Sequence, residues 1–172
     1  GYVFPNEKYL KELCQFLREH NILIIADEVQ MGFYRTGRLW SFEHYDFVPD
    51  IIVFGKAISN GIWPLSGIWA RDDLISDSAW PVGSTHCTFA GHPIGTRLGL
   101  CTFDIIESEN FESDISQSSE ALYKCVSNLV SDYSCFGRMQ MKGHAIGIDI
   151  IKPGTNKPNP TLAHQLIEKA LN

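Results

Sequence analysis

Two residues of this chain stand where a sheet would present reactive groups. The apolar run Ile22 to Ala26 leads directly into Asp27 and Glu28, and a second run, Ile51 to Phe54, introduced by Pro49-Asp50, ends at Gly55-Lys56. A lysine on a Gly-preceded turn at the mouth of a sheet can form a Schiff base with an aldehyde. A buried carboxylate can hold a pyridine nitrogen protonated. These are the two fixed protein groups that pyridoxal phosphate chemistry requires. The same two residues also read as a buried Asp27–Lys56 ion pair or as solvated loop residues, and spacing alone leaves those alternatives open.

Convergence of Asp27 and Lys56 depends on the elements that carry them. Asn6 caps a stretch whose apolar residues Tyr9, Leu10, Leu13, Phe16 and Leu17 recur at three and four, which predicts a helix over about 7–19, stopped at Asn21. The runs at 22–26 and 51–54 are continuous rather than alternating, as in strands covered on both faces. Helix followed by buried strand predicts an α/β architecture with a parallel sheet. In such sheets ligands sit beyond the carboxyl ends of the strands, so neighbouring strands would bring the carboxylate and the amine to one crevice. Ser66 to Ala70 reads as a third strand, or as a segment whose Trp69, with Trp63 before it, packs on a helix.

Beyond this the apolar positions predict helices over 92–107 and 112–131, a half-exposed strand over Ile146 to Ile151, a loop over 152–160 and a helix over 161–171. The expected organisation is therefore part of a larger α/β domain over 1–108 and the start of a smaller α+β domain over 109–172. Neither end resembles a natural terminus, which makes the chain an expected part of a longer one.

Composition narrows the function. With 44% apolar and 20% charged residues the chain reads as a water-soluble globular protein, and no apolar run approaches the roughly 20 residues that span a bilayer. A net charge of -6 without a Lys/Arg cluster speaks against nucleic acid and anionic membrane as partners. The five cysteines are scattered and never form C-x-x-C, which argues against a disulfide framework or zinc site and for a reducing, cytoplasmic setting. No signal peptide is visible at the N-terminus, and no G-x-x-x-x-G-K-[ST] or G-x-G-x-x-G supports a nucleotide site.

Three stretches in order, I24-I-A-D-E-V-Q-M-G-F-Y-R-T-G37, P49-D-I-I-V-F-G-K-A-I-S59 and T85-H-C-T-F-A-G-H-P93, resemble the class III aminotransferases, which include ornithine, 4-aminobutyrate and other ω-amino acid aminotransferases. The similarity covers nearly the whole chain and weakens after Ile150. It implies an α/β fold of the fold-type I pyridoxal-phosphate class, amino transfer between an amino donor and a 2-oxo acid, and a homodimer. It also implies roles by position. Lys56 would carry the cofactor as a Schiff base, Asp27 would pair with the pyridinium nitrogen, Gln30 would lie near the phenolic oxygen and Val29 against the ring face. Thr88 would reach the cofactor phosphate of the neighbouring subunit.

Three positions depart from the family pattern. Tyr34 replaces a usual Gly, which suggests a narrowed entrance or altered substrate choice. His92 replaces a common Asn before Pro93, and Gln140-Met141-Lys142-Gly143 lacks the arginine of R-G-x-G. Glu28 reads as a structural carboxylate and Arg35 as a structural loop residue, and Trp63 as packing or as a pocket wall. His86 and Cys87 lack two further ligands for a metal, and His20, His44 and His164 read as surface or helix residues. A racemase or semialdehyde aminomutase would use the same lysine and aspartate, and a non-catalytic scaffold would need neither.

Overall fold

The computed structural model describes residues 2–76, 78–84, 87–108 and 110–171. Helix α1 spans Glu7–Glu19, and its first turn is closed by the Asn6 side chain, which accepts from the Lys8 amide at 2.9 Å. Strand β1 (Ile25–Asp27) follows and pairs in parallel with β2 (Ile51–Phe54), Asp27 lying opposite Val53. One carboxylate ties the starts of both strands together. Asp50 Oδ2 accepts from the Ile24 amide at 2.8 Å, and the Asp50 amide donates to the Ile24 carbonyl at 2.8 Å.

Strand β3 (Gly67–Ala70) lies on the other side of β2 and runs antiparallel to it, Phe54 opposite Gly67, so the parallel pair expected from the two apolar runs is extended into a mixed sheet. A parallel return needs a crossover connection of a dozen or more residues, usually a helix. Residues 55–66 carry only the 3-10 turn Lys56–Ser59 and fold straight back. Strand β1 is shorter than the apolar run and lies at the edge of the three-stranded sheet, with Ile24 buried, Ala26 half-buried, and Ile22, Leu23 and Ile25 48, 49 and 60% exposed.

Below the sheet an aromatic cluster of Phe33, Trp40, Phe54, Trp69 and Phe103 holds the layers together, with Phe54–Trp69 and Phe33–Trp40 ring centroids 4.9 and 5.1 Å apart. Trp69 therefore serves packing. Phe103 comes from α2 (Pro93–Ile106), whose Thr102 hydroxyl donates to the Ile58 carbonyl at 2.8 Å and so braces the turn after Lys56. His92 caps this helix by accepting from the Ile94 amide on Nδ1 at 3.2 Å, the cap that an Asn side chain would provide. Its ring stacks on Trp63 at 4.6 Å, which places Trp63 in packing.

Helix α3 (Phe111–Asp132) leads to a hairpin of β4 (Phe136–Lys142) and β5 (Ala145–Ile150), and α4 (Pro160–Leu171) closes the chain. Strand β4 went unread in the sequence. The hairpin turn is driven against the segment after β1. At Gly143, φ +55, a Cβ atom would lie 2.3 Å from the Thr36 backbone, so only glycine allows this approach. The His144 amide fastens it by donating to the Arg35 carbonyl at 2.8 Å. Among the described residues no helix is long and apolar enough to cross a membrane.

Glu28 anchors the same segment from inside and is 2% exposed. Its amide continues the parallel ladder to the Val53 carbonyl at 2.8 Å. Its carboxylate accepts from the Ser41 amide (3.0 Å), the Ser41 hydroxyl (2.7 Å) and the Phe42 amide (3.1 Å), at the start of the 3-10 helix Ser41–Tyr45. A buried anion with three donors is stable where an unpaired one is not. Glu28→Ala should leave those amides unsatisfied at a cost of about 3 kcal/mol. Amide hydrogen exchange in the full-length protein should accelerate roughly a hundredfold at Ser41 and Phe42, whereas unchanged exchange would mean that Glu28 does not hold the helix.

Candidate active site

Because β1 and β2 are parallel neighbours, their carboxyl ends open on the same side. Next to that opening is a cleft of about 560 Å³ whose walls include Tyr2, Val29, Gln30, Arg35, Lys56 and His144. Three of the five residues singled out by sequence, Val29, Gln30 and Lys56, meet there. Lys56 Nζ donates to Gln30 Oε1 at 3.4 Å, and Gln30 Nε2 donates to Tyr2 Oη at 2.6 Å. Val29 is half-buried, while Gln30 and Lys56 are exposed to the cleft.

The backbone at Lys56 has φ +45, a left-handed conformation that a residue with a Cβ adopts at a cost. It follows buried Gly55 and begins a tight turn closed by Ile58 N to Gly55 O at 3.3 Å. The turn reverses the chain immediately after β2, and so leaves the lysine side chain at the strand mouth rather than continuing the pleat. Thr102 and the Ser59 hydroxyl, which donates to the Trp63 carbonyl at 2.6 Å, hold the far side. Strain at Lys56 is thus supported by bonds at Ile58 and Ser59.

Asp27 ends β1, and its Oδ1 accepts from the Val29 amide at 3.1 Å. It is exposed, and it stands at the strand end rather than among the cleft walls. The buried carboxylate expected at the end of β1 is instead Glu28. Successive residues of a strand point to opposite sides, so when Glu28 turns inward to the Ser41 and Phe42 amides, Asp27 is left facing outward. No ion pair joins Asp27 to Lys56 among the described residues. Thr88 is not brought to this cleft. It lies exposed in the turn before α2, near the bond from the Ala90 amide to the Cys87 carbonyl at 3.0 Å. Thr85 and His86 lie outside the described residues.

Other residues join the cleft. Arg35, expected to be structural, accepts at its carbonyl from the His144 amide and is also one of the residues lining the cleft. His144, placed by the Gly143 turn, lines the cleft and shares a 3.0 Å hydrogen bond between Nε2 and the Ser118 hydroxyl of α3. The signal for it was the Gly143 motif itself, whose next residue was passed over. His44 sits half-buried in the 3-10 helix Ser41–Tyr45, bound to the Thr36 carbonyl at 3.0 Å, and burial pushes its imidazole below the usual histidine range.

With the geometry in place, the comparisons with known proteins are specific. The family described as aminotransferase class-III matches residues 1–172. A probable 4-aminobutyrate aminotransferase of Bacillus subtilis is 34% identical over 168 residues, covering 95% of this chain and 37% of that protein. An alanine/serine racemase of Pyrococcus horikoshii is 31% identical over 170 residues, 99% of this chain and 35% of that protein. Among solved structures, a transaminase from the marine bacterium Virgibacillus superposes with a TM-score of 0.87 at 26% identity, covering 98% of this chain and 40% of that one. The chain thus spans well under half the length of the proteins it matches.

Tyr34 is not among the residues that line the cleft. Its backbone is left-handed, φ +64, and its ring is buried edge-on against Phe111 with centroids 5.2 Å apart. The hydroxyl donates to Glu112 Oε1 at 2.6 Å, which clasps the segment after β1 to the first turn of α3. Burial, with Glu112 adding to it, pushes the phenol up from 10.0 to about 12. A raised phenol pKa favours the neutral folded form. The stabilisation is therefore complete below about pH 10 and is lost as pH rises toward about 12. Stability of the full-length protein followed against pH should show this alkaline loss, and Tyr34→Phe should remove it while costing about 1 kcal/mol at neutral pH. An identical alkaline profile in the variant would contradict the clasp.

Proposed function

Because the chain belongs to the class III aminotransferase family, we propose that the full-length protein is a pyridoxal-phosphate-dependent aminotransferase that moves an amino group from an amino acid or ω-amine to a 2-oxo acid. The observation that carries this reading is the parallel pairing of β1 with β2, which sets Asp27 at one strand end and the Lys56 amine on the Gln30 amide at the next. The residues present fit the cofactor. The Lys56 amine is exposed in a cleft of about 560 Å³, the Gln30 amide is beside it, and the Asp27 carboxylate is exposed with one oxygen oriented by Val29.

Bound pyridoxal phosphate supplies an aldehyde and an electron sink for exchanging an amine with a carbonyl. Lys56 would be the amine that holds the aldehyde and, when free, the nitrogen that takes and returns a proton. Asp27 would hold a proton at the ring nitrogen as its counter-ion, Val29 would face the ring, and Gln30 would direct an amide N–H to the phenolic oxygen. Thr88, exposed and away from its own chain's cleft, would serve the phosphate of a second subunit, which supports a homodimer with shared sites; a cytoplasmic setting is supported by the scattered cysteines. Residues 1–108 form part of the larger cofactor-binding domain, and 109–172 begin the smaller one. The two separate sheets, one on each side of that division, support it.

The racemase relative favours a second reading, inversion of an amino acid by the same Lys56 and Asp27. Amino transfer to 2-oxoglutarate or pyruvate separates the two, because inversion needs no acceptor.

Borohydride reduction of the full-length protein with its cofactor, followed by peptide mapping, should place the pyridoxyl group on Lys56, and a label on any other lysine would overturn the assignment. Asp27→Ala should retain part of the cofactor yet lose on the order of a thousandfold in kcat, about 4 kcal/mol of barrier. Turnover near that of the native protein would make Asp27 structural only.

A further inference from the structure

The Gln30 amide is held from both ends. Nε2 donates to Tyr2 Oη at 2.6 Å, and Oε1 accepts from Lys56 Nζ at 3.4 Å. A glutamine amide has two N–H bonds and one carbonyl, and a free one rotates between faces at little cost. Tyr2 removes that freedom. By taking one N–H it sets the carbonyl toward the lysine and leaves the second N–H for another acceptor in the cleft.

Tyr2 is itself placed by the fold. A Cβ at Gly147 would lie 3.0 Å from the Tyr2 carbonyl oxygen, so strand β5 packs against the Tyr2 backbone at a position where only glycine fits without a shift. Its ring lines both the Lys56 cleft and a smaller cavity of about 290 Å³ beside it, walled by Pro5, Met31 and Tyr45. The phenol thus reaches Gln30 from a separate stretch of chain, positioned by the hairpin that also brings His144 to the cleft.

We infer that Tyr2 is a positioning residue for the cofactor's phenolic oxygen. Its hydroxyl fixes the Gln30 amide so that the remaining N–H points at that oxygen. This rests on the reading that Gln30 faces the phenolic oxygen. A donated N–H draws charge from the oxygen and weakens its hold on the proton it shares with the Lys56 nitrogen. The pH at which that proton leaves is therefore lowered. Without Tyr2 the amide rotates away part of the time, and the midpoint rises.

The test is a pH titration of the visible absorbance of the full-length protein with pyridoxal phosphate bound and no substrate present, in the native protein, Tyr2→Phe, Gln30→Ala and the double variant. Tyr2→Phe keeps the ring and its packing, and removes only the oxygen. The midpoint should rise by roughly half a unit in Tyr2→Phe, a threefold change in the proton equilibrium. It should rise further in Gln30→Ala, and the double variant should match Gln30→Ala alone. A shift in Gln30→Ala with none in Tyr2→Phe would overturn the inference while leaving Gln30 in its place. No shift in either would overturn both, and additive shifts would show that Tyr2 acts by another route.

Discussion

The amide of Glu28 donating to the carbonyl of Val53 is the last bond of the parallel ladder, and the candidate site depends on where that ladder stops. At this point β1 and β2 end side by side. Two consecutive carboxylates then take opposite directions. Glu28 turns into the interior, where the Ser41 and Phe42 amides and the Ser41 hydroxyl satisfy it. Asp27 is left at the open mouth, with its orientation set by the Val29 amide. A single residue of slip between the strands would exchange these environments and leave an anion buried without its donors.

Beyond the ladder the chain runs through a segment that is pinned more heavily than an ordinary loop. Glu28 holds its start, the aromatic cluster receives Phe33, the Tyr34 hydroxyl is clasped by Glu112, and Gly143 and His144 close on its end. Two consecutive residues, Phe33 and Tyr34, accept left-handed backbone conformations to make these contacts, and Lys56 does so across the sheet. Such conformations persist where the surroundings over-determine them. Here the surroundings come from both halves of the chain, so the geometry at Gln30 and Arg35 depends on α3 and the β4–β5 hairpin as much as on the sheet.

Much of this was legible in the sequence, for local reasons. The extent of α1, α2 and α3 followed from apolar spacing, and Asn6 and His92 act as the caps that bound two of them. Strand β2 coincides with its apolar run. The direction of β3 was not legible, because it depends on the connection from Lys56 to Ser66 and not on the strand's own residues. The weak alternation in Phe-Gly-Arg-Met-Gln-Met-Lys hid β4. At the site, Val29, Gln30 and Lys56 could be found through their motifs, yet Tyr2, Arg35 and His144 enter through tertiary contacts that local patterning does not record. Asp27 is exposed at its strand end because the carboxylate that finds interior donors there is Glu28.

The central claim is that Asp27 stands where it does to keep a proton on the ring nitrogen of a cofactor held by Lys56. The most direct measurement is the nitrogen-15 NMR shift of ring-labelled pyridoxal phosphate bound to the full-length protein, compared with the Asp27→Asn variant. A protonated ring nitrogen at neutral pH in the native protein, and an unprotonated one in the variant, is the predicted result. An unprotonated nitrogen with Asp27 intact would contradict the account.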